Sequence, residues 1–140
     1  MMRGVLAVGA CLSYGGLILG GLSAHAHHAI SSYYDSGRSV SLQGVIAEFR
    51  FISPHPFVVM EAKDANGAAQ AWTLEMDNRG ELSAIGVTST TLKPGDRIVV
   101  TGSMARNSAQ SLYVRKLERP ADGFTYEQVG SSPRITSRAR

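Results

Sequence analysis

The sequence contains a single cysteine, Cys11, which lies inside an apolar N-terminal stretch. Without that stretch the chain has no cysteine, so disulfides and thiolate metal sites are excluded from the remaining protein. The sequence also lacks the Gly-x-Ser-x-Gly, His-Glu-x-x-His and Gly-x-Gly-x-x-Gly motifs. Since these motifs mark hydrolases, zinc peptidases and dinucleotide-binding enzymes, we predict a binding domain rather than an enzyme.

An excess of charge of one sign is also missing. The formal net charge is +3 with histidine neutral, which is too small to favour the polyanionic backbone of nucleic acid. We therefore predict no nucleic-acid partner. Three arginines near the C terminus (Arg134, Arg138 and Arg140) are interpreted as part of a solvated basic tail.

The N terminus has the pattern of a secretory signal peptide. Arg3 is followed by an apolar run, Gly4 to Leu22, and then by Ala24-His25-Ala26, a small-x-small cleavage pattern. We predict that residues 1–26 are removed after Ala26 and that the protein is periplasmic or secreted. The run is also long enough to span a bilayer, but its glycines and the cleavage pattern favour removal, which leaves no stable membrane span.

Five strands and one short helix are predicted in the rest of the chain. The first strand is long and changes the parity of its apolar residues at Gly44, which is typical of a β-bulge. Asn66-Gly67 predicts a hairpin turn between the second and third strands. Asn78 and Glu81 have the spacing of a helix cap, and Gly86 can end that helix. The remaining strands are predicted at residues 57–62, 70–76, 97–102 and 111–118.

The order of these elements is strand, strand, strand, helix, strand, strand. It is the order of a small mainly β OB-like Greek-key barrel with a helix between strands 3 and 4. We therefore predict an OB-like domain at residues 27–118 and a partly ordered basic tail at residues 119–140. An open β-sandwich is the alternative.

The corner at Ser53-Pro54-His55-Pro56 interrupts the strand pattern. Proline has no N–H and fixes φ, so a sheet ladder cannot pass through this segment. His55 is therefore predicted on a stiff corner between strands 1 and 2. In an OB barrel this corner and the loop between strands 4 and 5, predicted at residues 104–110, flank the usual binding face.

Several short motifs in a fixed order resemble a family of small exported bacterial proteins that is catalogued only as a domain of unknown function. The motifs are His27-His28, Tyr34-Asp35, Gly44-Val45, Pro54-His55, Trp72-Thr73-Leu74-Glu75 and Thr91-Leu92-Lys93-Pro94-Gly95-Asp96. The resemblance implies a periplasmic, β-rich, OB-like domain and no established activity. Ser53 and Val87 depart from the pattern, where the family usually has asparagine and tryptophan.

Three histidines remain after cleavage: His27, His28 and His55. An N-terminal His27 offers its α-amine and an imidazole nitrogen to one metal ion, and a further imidazole completes a set that suits Cu(II). We predict copper as the metal and His55 as the further ligand, with His28 as its substitute. The simpler interpretation is that the N terminus is only hydrated and that His55 only stabilises its corner.

The alternative is a site without metal on the same face, for a small molecule or a protein partner of unknown identity. Phe51 and Phe57 flank the corner, and Met104 is predicted at the start of the facing loop. If the two rings point outward they can stack on a ligand, and if they point inward they belong to the core. Met104 is also a candidate soft ligand for Cu(I), although methionine in a strand is usually core filler.

Overall fold

The computed structural model describes residues 30–137, which form a mainly β protein. In chain order the strands are β1 (Tyr34–Arg50), β2 (Phe57–Lys63), β3 (Ala69–Glu75), β4 (Arg97–Ala105), β5 (Ser111–Arg119), β6 (Phe124–Val129) and β7 (Ser132–Thr136). Helix α1 (Arg79–Ala84) lies between β3 and β4, and residues 30–33 are helical just before β1. Within residues 30–137, no helix has the length and apolar character needed to cross a membrane.

The five strands from β1 through β5 are joined by hydrogen bonds into a closed ring. β1 pairs antiparallel with both β2 and β4, while β2 pairs with β3 and β4 with β5. A parallel pairing of β3 with β5 completes the ring through Thr73–Ser111, Leu74–Leu112 and Glu75–Tyr113. We call this junction the β3–β5 seam. The fold is therefore barrel-like, because its strands follow one another around a closed path.

β1 is the long shared strand that its sequence pattern predicts, and it contains 17 residues. Its pairing with β4 ends at Val45, where its pairing with β2 begins. At Gly44 a Cβ atom would lie 2.4 Å from the carbonyl oxygen of Glu61, so only glycine permits this approach of the two backbones. The register shift with β2 lies between Ile46 and Glu48 rather than at Gly44. Gly44 thus lets the two backbones approach closely. The irregularity in β1 follows just after the strand has changed its pairing from β4 to β2.

The predicted helix and its cap are confirmed. The Asn78 side chain accepts hydrogen bonds from the amides of Gly80 and Glu81, which lack partners within the helix. Leu82 is fully buried, so the helix packs one face on the core. Gly86 has φ of 95° just after the helix, a conformation that glycine adopts without strain.

The core lies inside the ring and under α1. Buried apolar side chains alternate along the strands, as in a sheet with one covered face. The largest of them include Ile46, Met60, Leu74, Met76, Leu82, Ile98, Leu112, Leu117 and Tyr126. Trp72 is half-buried and packs against this core.

The five-stranded prediction omitted β6 and β7, which lie in the segment interpreted as a tail. β6 pairs with β5 through residues 116–119 and 124–127, and β7 then pairs with β6. Phe124, Tyr126 and Gln128 are buried while the residues between them are more exposed, so this segment has the period of two of a strand. Pro120 and Gly123 obscured that period, because they mark the turn that precedes β6. The ring is thus extended by a hairpin.

Candidate functional site

The corner between β1 and β2 is fastened to the chain that follows β3. The Met76 amide donates a hydrogen bond to the Pro56 carbonyl at 2.9 Å, and the Arg79 amide donates to the Pro54 carbonyl at 3.0 Å. The peptide bond before Pro54 is cis. These contacts hold His55 against the end of β3, and the two prolines keep this segment out of the sheet.

The hydrogen bond of His55 defines its tautomer. Nδ1 lies 3.1 Å from the carbonyl oxygen of Met76 and 3.8 Å from Oε1 of Glu75. A carbonyl oxygen can only accept, so Nδ1 carries the hydrogen. In the neutral ring Nε2 then keeps its lone pair, and it has no hydrogen-bond partner among residues 30–137. The side chain is 17% exposed. Nε2 is thus the nitrogen of His55 that is left for a ligand.

Tyr34 holds the carboxylate beside His55. Its hydroxyl donates to Oε2 of Glu75 at 2.5 Å. Burial, followed by this hydrogen bond, raises the pKa of Tyr34 to about 12. The phenol therefore stays protonated at neutral pH and remains a donor. One carboxylate oxygen of Glu75 is directed to Tyr34 and the other to His55, so the three residues form one connected group.

We call Tyr34, His55 and Glu75 the His55 site. They come from the start of β1, the corner and the end of β3, which the ring brings to one place. A cavity of about 350 Å³ lies beside Tyr34 and Glu75 and is also lined by Tyr33 and Ser111. The site therefore borders a space that a small ligand or a neighbouring chain segment can enter.

The two predicted aromatic residues lie on the flank of the corner. Phe51 is half-buried, with its ring centroid 5.8 Å from that of Phe49 and 5.3 Å from Cζ of Arg79. Phe57 is also half-buried, and Cζ of Arg50 lies 5.3 Å from its ring centroid. Each ring thus has an arginine against it. These residues neither form an open aromatic patch nor belong wholly to the core.

Met104 lies inside β4 rather than in a loop, because that strand continues to Ala105. Its side chain is buried in the core cluster. The polar loop is shorter than expected and begins after Ala105. The alternation Val100, Gly102, Met104 continues the inward face of the strand. Met104 therefore has the usual role of a methionine in a strand, and it does not face the corner from a loop.

His27 and His28 lie outside the described residues. Within residues 30–137 there is no cluster of three or more histidine, cysteine or acidic side chains that could hold a metal ion. A complete metal site around His55 therefore needs a ligand from another part of the chain, as the predicted copper site assumes.

The sequence interpretation missed Tyr34 and Glu75 as members of the site. One signal could have indicated both residues, because each belongs to a motif that carries the family resemblance. These motifs are Tyr34-Asp35 and Trp72-Thr73-Leu74-Glu75. The structure places these motifs beside Pro54-His55.

Comparison with known proteins agrees with that resemblance. A family model described as a family of unknown function, DUF6152, matches residues 16–113, which is more than half of the chain. No curated protein matches the sequence.

Proposed function

The chain belongs to the DUF6152 family of unknown function, and we propose that it is an exported copper-binding domain. The observation that carries the proposal is the hydrogen bond from His55 Nδ1 to the Met76 carbonyl. A histidine that binds metal through one nitrogen usually donates its other N–H to a carbonyl or a carboxylate. His55 has the carbonyl at 3.1 Å and the Glu75 carboxylate at 3.8 Å.

The remaining ligands come from the mature N terminus. Cleavage after Ala26 gives His27 a free α-amine, which chelates one Cu(II) ion together with its imidazole. His55 Nε2 supplies a third nitrogen, with His28 as the alternative. Residues 30–33 lead directly into Tyr34 of the His55 site. Three residues of chain span at most about 11 Å, so His27 can reach only a region close to Ile30.

We further propose that the ring is an OB-type barrel with an added hairpin. The order around it, β1–β2–β3–β5–β4, and the helix between β3 and β4 support this assignment. In such a barrel the corner between strands 1 and 2 borders the usual binding face, which is where the His55 site lies. Export rests on the sequence pattern of residues 1–26.

The proposal is tested with untagged protein secreted by a bacterial host. Intact mass establishes whether the chain starts at His27, and titration with Cu(II) against a competing chelator gives the affinity. We expect one equivalent to bind and His55→Ala to weaken binding about tenfold or more, since one of three nitrogen ligands is lost. Electron paramagnetic resonance should show one fewer coordinated nitrogen in this variant.

Two controls distinguish a folded copper site from copper binding by the N terminus alone. One extra glycine before His27 removes the α-amine from its position and should abolish tight binding, although every side chain is retained. His28→Ala should leave binding nearly unchanged if His55 is the third ligand. If His55→Ala binds copper as tightly as the wild type, the metal is held by the terminus alone and the proposal is wrong.

A partner without metal is the second candidate, and two exposed apolar side chains favour it. Ile52 is 49% exposed beside the corner, and Tyr33 is 65% exposed beside Tyr34. An exposed apolar patch with polar residues at its edge is typical of an interaction site. A photoreactive residue at position 52 should then form one discrete adduct in the periplasm. The adduct should persist when glycine is added before His27 and should be lost with Phe57→Ala.

A further inference from the structure

A second cavity differs from the His55 site in chemical character. Its volume is about 300 Å³, and its lining includes Tyr34, Arg106, Tyr113, Arg115 and Gln128. It lies between the start of β1, the first half of β5 and the turn from β6 to β7. It shares Tyr34 with the His55 site, but neither His55 nor Glu75 lines it. We call it the Arg115 cavity.

Arg115 is the principal donor in this cavity. Its Nε lies 3.4 Å from the Ser103 hydroxyl, and its Cζ lies 5.0 Å from the centroid of the Tyr113 ring. These contacts orient the guanidinium plane. Its terminal nitrogens have neither a hydrogen bond nor a carboxylate partner in the described part of the chain. Arg115 is therefore a positioned cation whose bidentate edge is free.

Tyr113 and Gln128 add neutral donors. The Tyr113 hydroxyl makes no hydrogen bond to any residue from 30 to 137. Burial raises its pKa well above the ordinary value, so it keeps its proton at neutral pH. Gln128 donates one Nε2 hydrogen to Asp77 at 2.6 Å and accepts at Oε1 from the Tyr126 hydroxyl at 2.9 Å. Its second Nε2 hydrogen has no partner among the same residues.

Two carboxylates near the cavity are already paired. The Asp77 carboxylate accepts from Gln128 and from the Asn78 amide at 2.7 Å. Asp35 lies 3.6 Å from Nη1 of Arg106, which offsets its charge. Arg115, Tyr113 and Gln128 thus present donors to the cavity, which Ser36 and Ser131 also line, while these two carboxylates are engaged elsewhere. A ligand complementary to such walls is an acceptor-only group with negative charge.

We propose that the Arg115 cavity binds the carboxylate of a small organic acid. A carboxylate is planar and fits the guanidinium fork with two parallel hydrogen bonds, while the Tyr113 hydroxyl donates to the same group. The volume of about 300 Å³ is at the small end of ligand sites. The rings of Tyr34 and Tyr113, with centroids 5.7 Å apart, cover the apolar part of the ligand.

Benzoate and benzamide are matched probes for the proposal, because they have nearly the same shape and differ in charge. Binding to the full secreted chain is followed by amide chemical shifts, with a chelator present so that copper plays no part. We expect saturable benzoate binding, with benzamide at least about tenfold weaker because it lacks the charge. Arg115→Gln should weaken benzoate about tenfold or more, and Arg115→Lys by a smaller factor.

Arg134→Gln is the matched control, since it removes a guanidinium that pairs with Glu127 away from the cavity. It should leave the affinity for benzoate unchanged. Tyr113→Phe keeps the ring and removes one donor, so it is an independent test in which a several-fold loss of benzoate affinity is expected. The proposal is overturned if benzoate shows no saturable binding, if benzamide binds equally well, if Arg115→Gln retains wild-type affinity, or if inorganic phosphate binds more tightly than benzoate.

Discussion

Two arginines on β5, four residues apart, have opposite surroundings. Arg119 is bound on every side. Its Nη1 donates to the Thr91 carbonyl at 2.8 Å and to Asp96 at 2.6 Å, and its other nitrogens form a bidentate pair with Asp122 at 2.8 and 3.0 Å. Among residues 30–137, Arg115 contacts only the Ser103 hydroxyl and the Tyr113 ring.

The different surroundings indicate different roles: the charge of Arg119 stabilises the fold, and that of Arg115 is available to a ligand. Arg119 joins the end of β5 to the Lys93–Asp96 turn, so its charge is used in holding the chain together. Arg115 is held by fewer contacts and lines a cavity, and its terminal nitrogens have no partner among residues 30–137. A positioned donor without a partner contributes little to folding and is available to a ligand. The family motif that ends in Asp96 is therefore structural, because Asp96 binds Arg119.

The largest effect on the free energy of unfolding is expected when Arg119 is replaced. Arg119→Gln leaves the Asp96 carboxylate and the Thr91 carbonyl without their charged donor, so we expect the free energy of unfolding to fall by about 2 kcal/mol. Urea unfolding followed by Trp72 fluorescence measures it. Equal losses for Arg119→Gln and Arg115→Gln would show that the two arginines do not differ in this way.

Tyr34 is an intermediate case, because it is bonded to Glu75 and also lines the Arg115 cavity. Tyr34→Phe should lower the free energy of unfolding by about 1 kcal/mol at pH 7, since one part-buried hydrogen bond is lost. The folded pKa is about 12 against an ordinary value of 10.0. Wild-type stability should therefore be complete below pH 10 and fall as the pH rises toward 12. An alkaline loss of the same size in Tyr34→Phe would contradict this assignment.

A smaller effect on stability is expected at acidic pH, and it comes from Asp122. The hydrogen bond from Arg119, its largest cause, lowers the pKa of Asp122, so this carboxylate stabilises the folded state above the unfolded pKa of about 4. That contribution is lost as the pH falls through the lower, folded pKa. The urea midpoint of the wild type should thus decrease more between pH 5 and pH 3 than that of Arg119→Gln. Parallel decreases would mean that the pair contributes nothing, as for many exposed ion pairs.

The smallest effect is expected for Arg115→Gln in the absence of ligand. Its stability should stay within about 0.5 kcal/mol of the wild type, because no carboxylate among residues 30–137 loses a partner. Thermal unfolding with and without benzoate sharpens the test. The wild type should gain stability from benzoate and Arg115→Gln should not.

Local features of the fold were predictable from the sequence. The cap at Asn78, the turn at Asn66-Gly67 and the turn that ends at Asp96 depend on residues only a few positions apart. β6 was missed although its alternation is regular, because its aromatic residues follow a proline and a glycine. Their burial depends on pairing with β5, and a single segment does not reveal its partner.

The site was predictable only in part for the same reason. The prolines identified the corner of His55, because their effect on the backbone is local. Tyr34 and Glu75 are 41 residues apart in sequence, and His55 and Met76 are 21 apart. The contact of His55 with Met76 forms when β2 pairs with β3, whereas that of Tyr34 with Glu75 forms only once the ring has closed. A pattern along the chain indicates which side chains are stiff or buried, but the neighbours of a carboxylate come from the pairing of distant strands.

The β3–β5 seam has a consequence for the exchange of amide hydrogens with solvent. The parallel contact contains only three residue pairs, one of which joins Glu75 of the His55 site to Tyr113 of the Arg115 cavity. Because this junction is short, we expect it to open at a lower free energy than the longer pairings of the ring, and its opening to separate Glu75 from Tyr113. Occupation of either site should therefore slow deuterium uptake at Thr73, whose amide donates to Gln110 beside the seam. Two ligands that never touch would then favour each other's binding through the same closed state.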